Sequence, residues 1–300
     1  MFKKFIVSKE YHNSRFDRWF KQNITNVPQS LIEKLVRKKK VKINKKKVRT
    51  SYRVQFNDIV ELHRTEDLKS NNKSKKEKYK PSEKEKGEYG KFIIENNDNF
   101  IVINKPSGIS VQSGTKSFKN IIDILKDTKY FKYTKPFVVH RLDKETSGVM
   151  IIAKNREYAQ LFTSLFRIRK MHKIYLAITY GPIRKDIKIL QDNLTSYEGN
   201  KKVIQKAVSH LRVLKSNEEY SLLELKPITG RKHQLRKQLY NIGNPIVGDD
   251  KYSFSEKGKK FKAKNIMLHA YKIKFMINNI RYNFEAKYGD EFEQFIRRKF

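Results

Sequence analysis

The sequence predicts an α+β fold, built on a mixed, largely antiparallel sheet with flanking helices, and a small basic domain before it. The length of 300 residues is typical of about two domains. Residues 67–90 are rich in Lys, Ser, Asn and Glu and almost free of aliphatic side chains, so we expect a flexible linker there. Residues 91–300 contain many short apolar runs and few strand–helix–strand units, which favours the α+β class. The predicted domains are therefore 1–66 and 91–300, joined by that linker.

The overall charge of the chain indicates the class of ligand that it binds. The chain has 68 Lys and Arg against 31 Asp and Glu, a formal charge of +37. A chain this basic repels itself, so a polyanion such as nucleic acid is the expected ligand. Lysines outnumber arginines by 51 to 17, a bias that A-rich coding DNA also produces. A lysine-coated enzyme that binds no nucleic acid therefore stays open as the alternative.

Other classes are excluded by what the sequence lacks. There are no cysteines, so disulfides, iron–sulfur clusters and thiolate zinc sites are excluded. The seven histidines include no pair at helical ligand spacing, and we expect no metal site. No apolar run approaches the roughly 18 to 20 residues that cross a bilayer. We expect a cytoplasmic monomer without membrane contact.

The elements of the first domain can be predicted in order. Aromatic residues at helical spacing predict a helix that begins near Ser14, and Ser30 is the expected N-cap of a second helix. A short alternating strand at residues 41–44 and further strand material at 48–62 follow. Residues 31–49 contain ten basic side chains and one acid, which would place many cations on one side of a small fold. A solvated run of charge is the alternative interpretation.

In the second domain, apolar runs predict strands, and Asn155 is the expected N-cap of a helix with apolar residues at helical spacing. We find no internal repeat in this part of the chain. The strand candidates are residues 92–94, 100–103, 137–139, 149–153, 173–180, 207–214, 220–226 and 271–276.

Residues 138–150 are distinctive because polar side chains lie between two apolar strands, which should hold them rigidly. Asp143 lies two positions after Arg141 in this segment. An acid beside an arginine is either a buried ion pair or a catalytic carboxylate that a cation keeps ionised, and the residues alone leave both open. The His-Arg-Leu-Asp run has one residue too many for a kinase catalytic loop. Residues 108–117 lack the register of a phosphate-binding loop.

A set of motifs resembles one known family, in the order found there and over nearly the whole chain. The set identifies the chain as a member of the RluA-type pseudouridine synthases, and residues 15–62 resemble an S4 RNA-binding domain. Details of the N-terminal part look most like the members of this family that act on the large ribosomal subunit. The motifs are His-Arg-Leu-Asp-Lys-Glu-Thr-Ser-Gly at 140–148, Lys-Ile-Tyr-Leu-Ala at 173–177, Thr-Gly-Arg-Lys-His-Gln-Leu-Arg at 229–236, Asn-Pro-Ile-Val-Gly-Asp at 244–249 and Leu-His-Ala at 268–270.

The resemblance implies an isomerase that converts uridine in RNA to pseudouridine without a cofactor or a metal. Asp143 then corresponds to the family's essential aspartate, which either attacks the sugar or removes a sugar proton. Arg236 corresponds to the arginine that pairs with that aspartate, and Tyr175 to the tyrosine that stacks against the target base. The side chains expected to support RNA binding and base flipping are Arg141, His140, Lys173 and Leu268.

The S4 resemblance implies recognition of RNA by shape and backbone, and the expected partner is 23S rRNA or its precursor. The alternatives are a different uridine, in the large subunit or in tRNA, and a non-catalytic RNA-binding factor of ribosome assembly. Lys232, Lys237 and Gln238 depart from the family's usual residues beside Arg236, which puts the choice of substrate in doubt. The S4 residues expected at the RNA are Arg18, Ser30, Arg37, Lys38, Lys39, Lys40, Lys42, Lys45 and Lys46.

Overall fold

The structure, a computed structural model, describes residues 2–63, 79–113, 119–184, 186–198, 201–254 and 263–300, without the side chains of residues 197, 198 and 201. The chain divides into two compact units, Met1–Glu77 and Lys78–Phe300. This division falls inside the segment predicted as a linker. Residues 67–78 of that segment lie outside the described residues.

The N-terminal unit packs helices and strands around a single aromatic and aliphatic core, in which Phe16, Trp19 and Phe20 are buried. Three of its strands form an antiparallel sheet and two more form a short antiparallel pair. Its elements, in chain order, are β1 (Phe2–Ile6), β2 (Ser14–Arg15), α1 (Phe16–Asn23), α2 (Gln29–Arg37), β3 (Val41–Ile43), β4 (Arg53–Val54) and β5 (Ile59–His63).

Helix α2 begins earlier than the sequence predicts. Pro28 is its N-cap residue, so Ser30 lies exposed inside the first turn, and the prediction of Ser30 as the N-cap is wrong. The carbonyl of Pro28 accepts the backbone N–H of Leu31 at 3.0 Å, and the proline ring presets φ at −54°. The amide of Gln29 donates to Asp17 at 3.1 Å and ties α2 to α1. These contacts begin the helix without a side-chain cap.

The C-terminal unit contains the larger sheet. Each strand predicted in it overlaps an observed strand, and Asn155 caps the fifth helix by accepting the N–H of Tyr158 at 2.9 Å. No helix in the described ranges is long and apolar enough to span a membrane. Its elements are α3 (Glu83–Gly90), β6 (Ile93–Asn96), β7 (Phe100–Lys105), α4 (Ile121–Leu125), β8 (Phe137–Val138), β9 (Ser147–Ala153), α5 (Arg156–Arg167), β10 (His172–Tyr180), β11 (Ile189–Glu198), β12 (Lys201–Ser216), β13 (Tyr220–Pro227), α6 (Gln234–Asn241), β14 (Leu268–Ile277), β15 (Ile280–Glu285) and α7 (Asp290–Lys299).

The strands of this unit form one mixed sheet in the order β11-β12-β13-β10-β14-β9-β7-β6, with β15 also paired to β14 and β8 to β9. The pairing of β14 with β9 is parallel, and the other pairings between these strands are antiparallel. In the parallel pair, Ala270 lies opposite Gly148, which has φ +115°. A Cβ at Gly148 would lie 2.2 Å from the carbonyl oxygen of Ala270, so the two strands approach this closely because the residue is glycine. The predicted α+β class and sheet type are confirmed.

Alternate residues of β7 face two different layers, as the period of two in a strand requires. Phe100 and Val102 belong to a core that also contains Phe162 of α5. Ile101 and Ile103 belong to another core, under α4. The strands are therefore covered on both faces, which fixes where their ends emerge.

Helix α3 occupies the C-terminal end of the segment predicted as a linker. Ser82 and Glu85 form a capping box at its start. The carboxylate of Glu85 also accepts the hydroxyl of Tyr79 at 2.5 Å and pairs with Lys119, whose Nζ lies over the rings of Tyr79 and Tyr89. Over residues 79–90 the structure therefore corrects the prediction of a flexible linker, because polar side chains and tyrosines supply contacts that aliphatic composition does not show.

Candidate active site

A cleft of about 590 Å³ opens in the C-terminal unit where the motif segments meet. It lies between the loop that joins β8 to β9, the first residues of β10 and the turn from β13 into α6. All seven side chains that the sequence analysis assigns to chemistry or base flipping line this cleft: Arg141, His140, Asp143, Lys173, Tyr175, Arg236 and Leu268.

The last residue of β7 and the residues just after it hold the loop that carries Asp143. The carbonyl of Lys144 accepts the N–H of Gly108 at 2.9 Å and the Nζ of Lys105 at 3.2 Å. The hydroxyl of Ser107 donates to the carbonyl of the next loop residue, Glu145. The loop backbone is thus held at the two residues that directly follow Asp143. The side chain of Asp143, which is 20% exposed, lines the cleft.

Lys105 is a fully buried cation beneath this loop. Its exposed fraction is 0%, and besides Lys144 its Nζ donates to the carbonyl of Ile109 at 3.0 Å. Burial lowers the pKa of Lys105 to about 7, although the nearby acids Asp143 and Glu145 favour the charged form. The Lys105 amine therefore donates hydrogen bonds to several backbone carbonyls at once. The charge of this amine changes close to neutral pH.

Tyr175 reaches the cleft from β10 at a β-bulge. Ile174 lies opposite Lys272 of β14, but Tyr175 lies opposite Ala270, so the register shifts between these two neighbours. Bulges beside active sites re-aim a side chain, and this one turns the Tyr175 ring toward the cleft. Burial, and then the charge of Asp143, raises the pKa of Tyr175. The phenol is therefore protonated and uncharged at neutral pH.

Helix α6 presents Arg236 to the cleft, and the main partner of its guanidinium is Asp249. Nε donates to Oδ2 and Nη2 to Oδ1 of Asp249, each at 2.7 Å, and both side chains are buried. The remaining nitrogen, Nη1, lies 3.3 Å from Glu145 and 3.7 Å from Oδ2 of Asp143. The predicted pairing of Arg236 with Asp143 is thus present as an ion pair at 3.7 Å, although the short hydrogen bonds of the guanidinium go to Asp249. Asp249 matches the guanidinium fork with two hydrogen bonds, whereas Asp143 lies beyond hydrogen-bond distance.

Asp249 is itself oriented by the turn in which it lies. Its Oδ1 accepts the backbone N–H groups of Lys251 at 3.0 Å and Tyr252 at 3.1 Å. The preceding residue, Gly248, has φ +77°, and a Cβ there would lie 2.4 Å from the carbonyl oxygen of Asn265. Only glycine fits this position, which fixes the path of the chain into the turn.

His233, the residue before α6, is a second donor that faces Asp143. Its Nε2 lies 3.7 Å from Oδ1 of Asp143, and its Nδ1 lies 2.9 Å from the hydroxyl of Tyr252. The backbone of His233 is left-handed, with φ 53° and ψ 33°, a conformation uncommon outside glycine and often found at functional sites. Burial lowers the pKa of His233, and Arg236 lowers it further, while Asp143 opposes the shift. The imidazole is therefore neutral at neutral pH.

Buried amides attach α6 to the sheet. Gln234 accepts the hydroxyl of Thr229 at 2.7 Å and donates to the hydroxyl of Ser209 in β12 at 2.9 Å. That hydroxyl in turn donates to Gln238 at 2.7 Å. Because Gln238 is fully buried in this network, it holds the helix in place, and its bearing on substrate choice stays a prediction.

His140 also has a structural role. Its Nε2 accepts the N–H of Ile151 at 2.9 Å, and its ring packs 4.7 Å from that of Phe166. Burial, and then the charge of Lys173, lowers the pKa of His140 to about 3. The neutral ring therefore fastens the loop to β9 through Nε2, and its expected support of RNA binding stays a prediction. Leu268 is almost fully buried at the floor of the cleft.

Cations surround the mouth of the cleft. Lys173 points into it, and burial lowers the pKa of that amine. Arg141, Arg167 at the end of α5 and Arg169 just after it are exposed. An uncharged ligand does not need such a rim, whereas the phosphates of a nucleic acid do. The exposed or half-buried cations of the rim are Arg141, Arg167, Arg169, Arg231 and Lys232.

Comparison with known proteins identifies the family. The RNA pseudouridylate synthase family matches residues 99–241, and the S4 domain matches residues 26–60. The ribosomal large subunit pseudouridine synthase C of Buchnera aphidicola is 30% identical over 282 residues, which cover 90% of this chain and 88% of that protein. This chain belongs to the RNA pseudouridylate synthase family. The predicted family and the predicted S4 domain are confirmed.

Two further relatives agree with this assignment. The ribosomal large subunit pseudouridine synthase C of Rickettsia conorii is 34% identical over 257 residues, covering 81% of this synthase and 84% of that one. The solved structure of Human RNA Pseudouridylate Synthase Domain Containing 4 has a TM-score of 0.61 and 28% identity, over 71% of this chain and 94% of that chain. The synthase fold and the enzyme class, an isomerase, follow from the family.

In the S4 unit of the synthase, a buried acid organises the turn after β3. Asp58 accepts the amide of Asn44 at 2.7 Å and the hydroxyl of Tyr52 at 3.1 Å. The turn carries Lys45 and Lys46, and the end of α2 carries further exposed cations. Of the residues predicted to contact RNA, Lys40 and Lys42 are half-buried, and those that are exposed are Arg18, Ser30, Arg37, Lys38, Lys39, Lys45 and Lys46.

Sequence reasoning does not single out three residues that build the site: Lys105, Asp249 and Tyr252. Lys105 ends an apolar strand and precedes a proline, and nothing in that pattern distinguishes it from a surface lysine. Asp249 closes the motif at 244–249, where the glycine before an acid is a usable signal for a tight turn. Tyr252 lies outside every motif.

Proposed function

We propose that this synthase converts uridine to pseudouridine in RNA of the large ribosomal subunit, with Asp143 as the catalytic carboxylate. The observation that carries the proposal is the placement of Asp143 in a cation-rimmed cleft, where each of its oxygens faces a donor at 3.7 Å. No side-chain donor among the described residues is hydrogen-bonded to either oxygen. The carboxylate therefore keeps lone pairs for chemistry.

The reaction exchanges one glycosidic bond for another. The bond from N1 of uracil to C1′ of ribose breaks, and a bond from C5 to C1′ forms. The hydrogen on C5 leaves to solvent, and N1 gains a proton, so no oxidant or reductant is needed. An ionised Asp143 suits either an attack on C1′ or the removal of a sugar proton.

Tyr175 is the proposed platform for the base. Its ring is uncharged at neutral pH, because burial raises the pKa of the phenol. An uncharged aromatic face stacks on a uracil that has been taken out of its own stack. Tyr175 lines the same cleft as Asp143, and its hydroxyl is the proposed carrier of the proton that leaves C5.

The rim cations are proposed to hold the RNA on either side of the flipped nucleotide. Flipping costs a few kcal/mol, and contacts with flanking phosphates offset part of that cost. Arg141 is exposed beside Asp143 and is suited to occupy the space that the base leaves. The relatives named for the large ribosomal subunit and the S4 domain support 23S rRNA or its precursor as the substrate.

The proposal is tested with rRNA that carries tritium at C5 of uridine. The synthase should release tritium to water, and Asp143→Asn should abolish the release while the affinity for RNA stays within about twofold. Asp127→Asn removes the same charge at an exposed position outside the cleft and should behave like the wild type. Continued tritium release by Asp143→Asn would show that another group is the catalyst.

A further inference from the structure

We infer that the turn carrying Asp249 and Tyr252 is a positioning element for Asp143. Its two side chains hold two donors, Arg236 and His233, and each donor faces a different oxygen of the carboxylate. The inference rests on the proposed function, because it assigns a role around the proposed catalytic acid. It adds two positioning residues, which act through Arg236 and His233 rather than on the substrate.

Asp249 fixes the orientation of Arg236, the first of the two donors. Two hydrogen bonds of 2.7 Å occupy Nε and Nη2 of Arg236. Two backbone N–H groups of the turn hold the carboxylate of Asp249 in turn. A guanidinium is planar, so the direction of its remaining nitrogen is determined once its other edge is fixed. That nitrogen donates to Glu145 at 3.3 Å and lies 3.7 Å from Oδ2 of Asp143.

Tyr252 fixes the orientation of His233, the second donor. A neutral imidazole has one N–H and one lone pair, and the carboxylate of Asp143 favours the hydrogen on the nitrogen that faces it. His233 therefore carries its hydrogen on Nε2, and Nδ1 accepts the hydroxyl of Tyr252 at 2.9 Å. The left-handed backbone at His233 aims the ring at this pair of partners.

Tyr252 also contacts both donors. Its ring lies 5.3 Å from the guanidinium carbon of Arg236, as a cation–π contact, while its hydroxyl reaches His233. The turn thus holds both donors at the same separation, 3.7 Å, from Asp143. At that distance they stabilise the negative charge without taking the lone pairs into hydrogen bonds, which preserves the reactivity of the carboxylate.

The variant Tyr252→Phe tests the contact between the Tyr252 hydroxyl and His233, because it keeps the ring over Arg236 and removes only the hydroxyl. Without that donor, Nδ1 of His233 becomes free to take up a proton. The charged groups that face His233 are Asp143, which favours that proton, and Arg236, Lys251 and Lys232, which oppose it. A protonated His233 would form an ion pair with Asp143 and lower the reactivity of its carboxylate. We expect kcat to fall about tenfold at pH 7, the acid limb of kcat to move to higher pH, and KM for RNA to stay within about twofold.

The matched control is Tyr240→Phe, since the ring of Tyr240 packs on that of Tyr252 from α6, and within the described part of the chain its hydroxyl is not hydrogen-bonded to Arg236 or His233. It should keep the wild-type pH profile. Tritium release from uridine-labelled rRNA is the assay, and the melting temperature shows that each variant is folded. If Tyr252→Phe matches the wild type in kcat and in its acid limb, the positioning role is overturned and the proposed function stands. If the wild type itself releases no tritium, the proposed function fails first.

Discussion

Arg236 is joined to Asp249 by two hydrogen bonds of 2.7 Å, while its nearest approach to Asp143 is 3.7 Å. Charged partners that are both buried are costly to separate, because the remaining ion is left without a counter-charge. The first prediction concerns this pair. Asp249→Asn should lower the free energy of unfolding by about 3 kcal/mol and reduce tritium release, since the freed guanidinium can turn onto Asp143.

Urea unfolding followed by circular dichroism measures the stability of this variant. The control is Asp250→Asn, which removes a charge from the exposed neighbouring residue and should change stability by less than about 0.5 kcal/mol. Equal stabilities of the two variants would mean that the pair contributes nothing.

The second prediction concerns the glycine at the parallel pairing of β9 and β14. Gly148→Ala places a methyl group 2.2 Å from the carbonyl oxygen of Ala270 and retains a φ of +115° that alanine disfavours. The strands must separate, and we expect a loss of about 3 kcal/mol or more. Gly108→Ala is the control, since its φ is +84° but nothing lies within 4 Å of the new Cβ. It should cost about 1 kcal/mol of backbone strain, and a similar loss for both variants would refute the steric argument.

The third prediction uses the buried Lys105. Its pKa is about 7 in the folded protein against 10.5 for the free side chain, so between these values unfolding takes up a proton. The unfolding free energy therefore gains up to about 1.4 kcal/mol per pH unit from this group as the pH rises from 7 to 10. Lys105→Met lacks the group and should lack that gain. Urea titrations at pH 7, 8 and 9 measure it, and parallel pH dependences of the two proteins would contradict the burial of a titrating amine.

The fourth prediction concerns the cations of the S4 unit. Replacing Lys38, Lys39, Lys45 and Lys46 by Gln should weaken binding to rRNA and lower the slope of log Kd against log salt concentration by about 3, through loss of counterion release. Fluorescence anisotropy at several salt concentrations measures the slope. The control changes four exposed lysines of the other unit, Lys91, Lys129, Lys132 and Lys135, to Gln. If both sets reduce the slope equally, the effect is one of net charge and not of a docking surface.

The strands of the synthase are predictable from sequence because apolar, β-branched runs build them. The run at 100–103 predicts β7, and the run at 149–153 predicts β9. Helix α6 is not predictable in this way, because three of its five buried residues are polar: Gln234, Arg236 and Gln238. Hydrophobic periodicity does not detect a helix whose inner face makes hydrogen bonds. The same limit applies to α3, which has no buried residue and depends on its cap and on tyrosine contacts.

The site is predictable up to the residues that resemble family motifs. Asp143, Tyr175 and Arg236 do meet in one cleft. Their mutual geometry is not predictable, since the motif that ends at Asp249 does not show that this acid is buried and holds Arg236, while the neighbouring Asp250 is exposed. Burial follows from the turn after Gly248, and tertiary structure alone shows it.

The order of strands in the sheet also determines when the site can exist. Strand β14 lies between β10 and β9, yet it follows both along the chain, with β10 to β13 and α6 made in the interval. During translation, β9 and β10 must therefore wait, with unpaired edges, until β14 emerges and inserts between them. Such long-range pairing is slow and leaves those edges open to aggregation. The register that turns Tyr175 into the cleft forms only at that insertion, so a nascent synthase is inactive until late in its own synthesis.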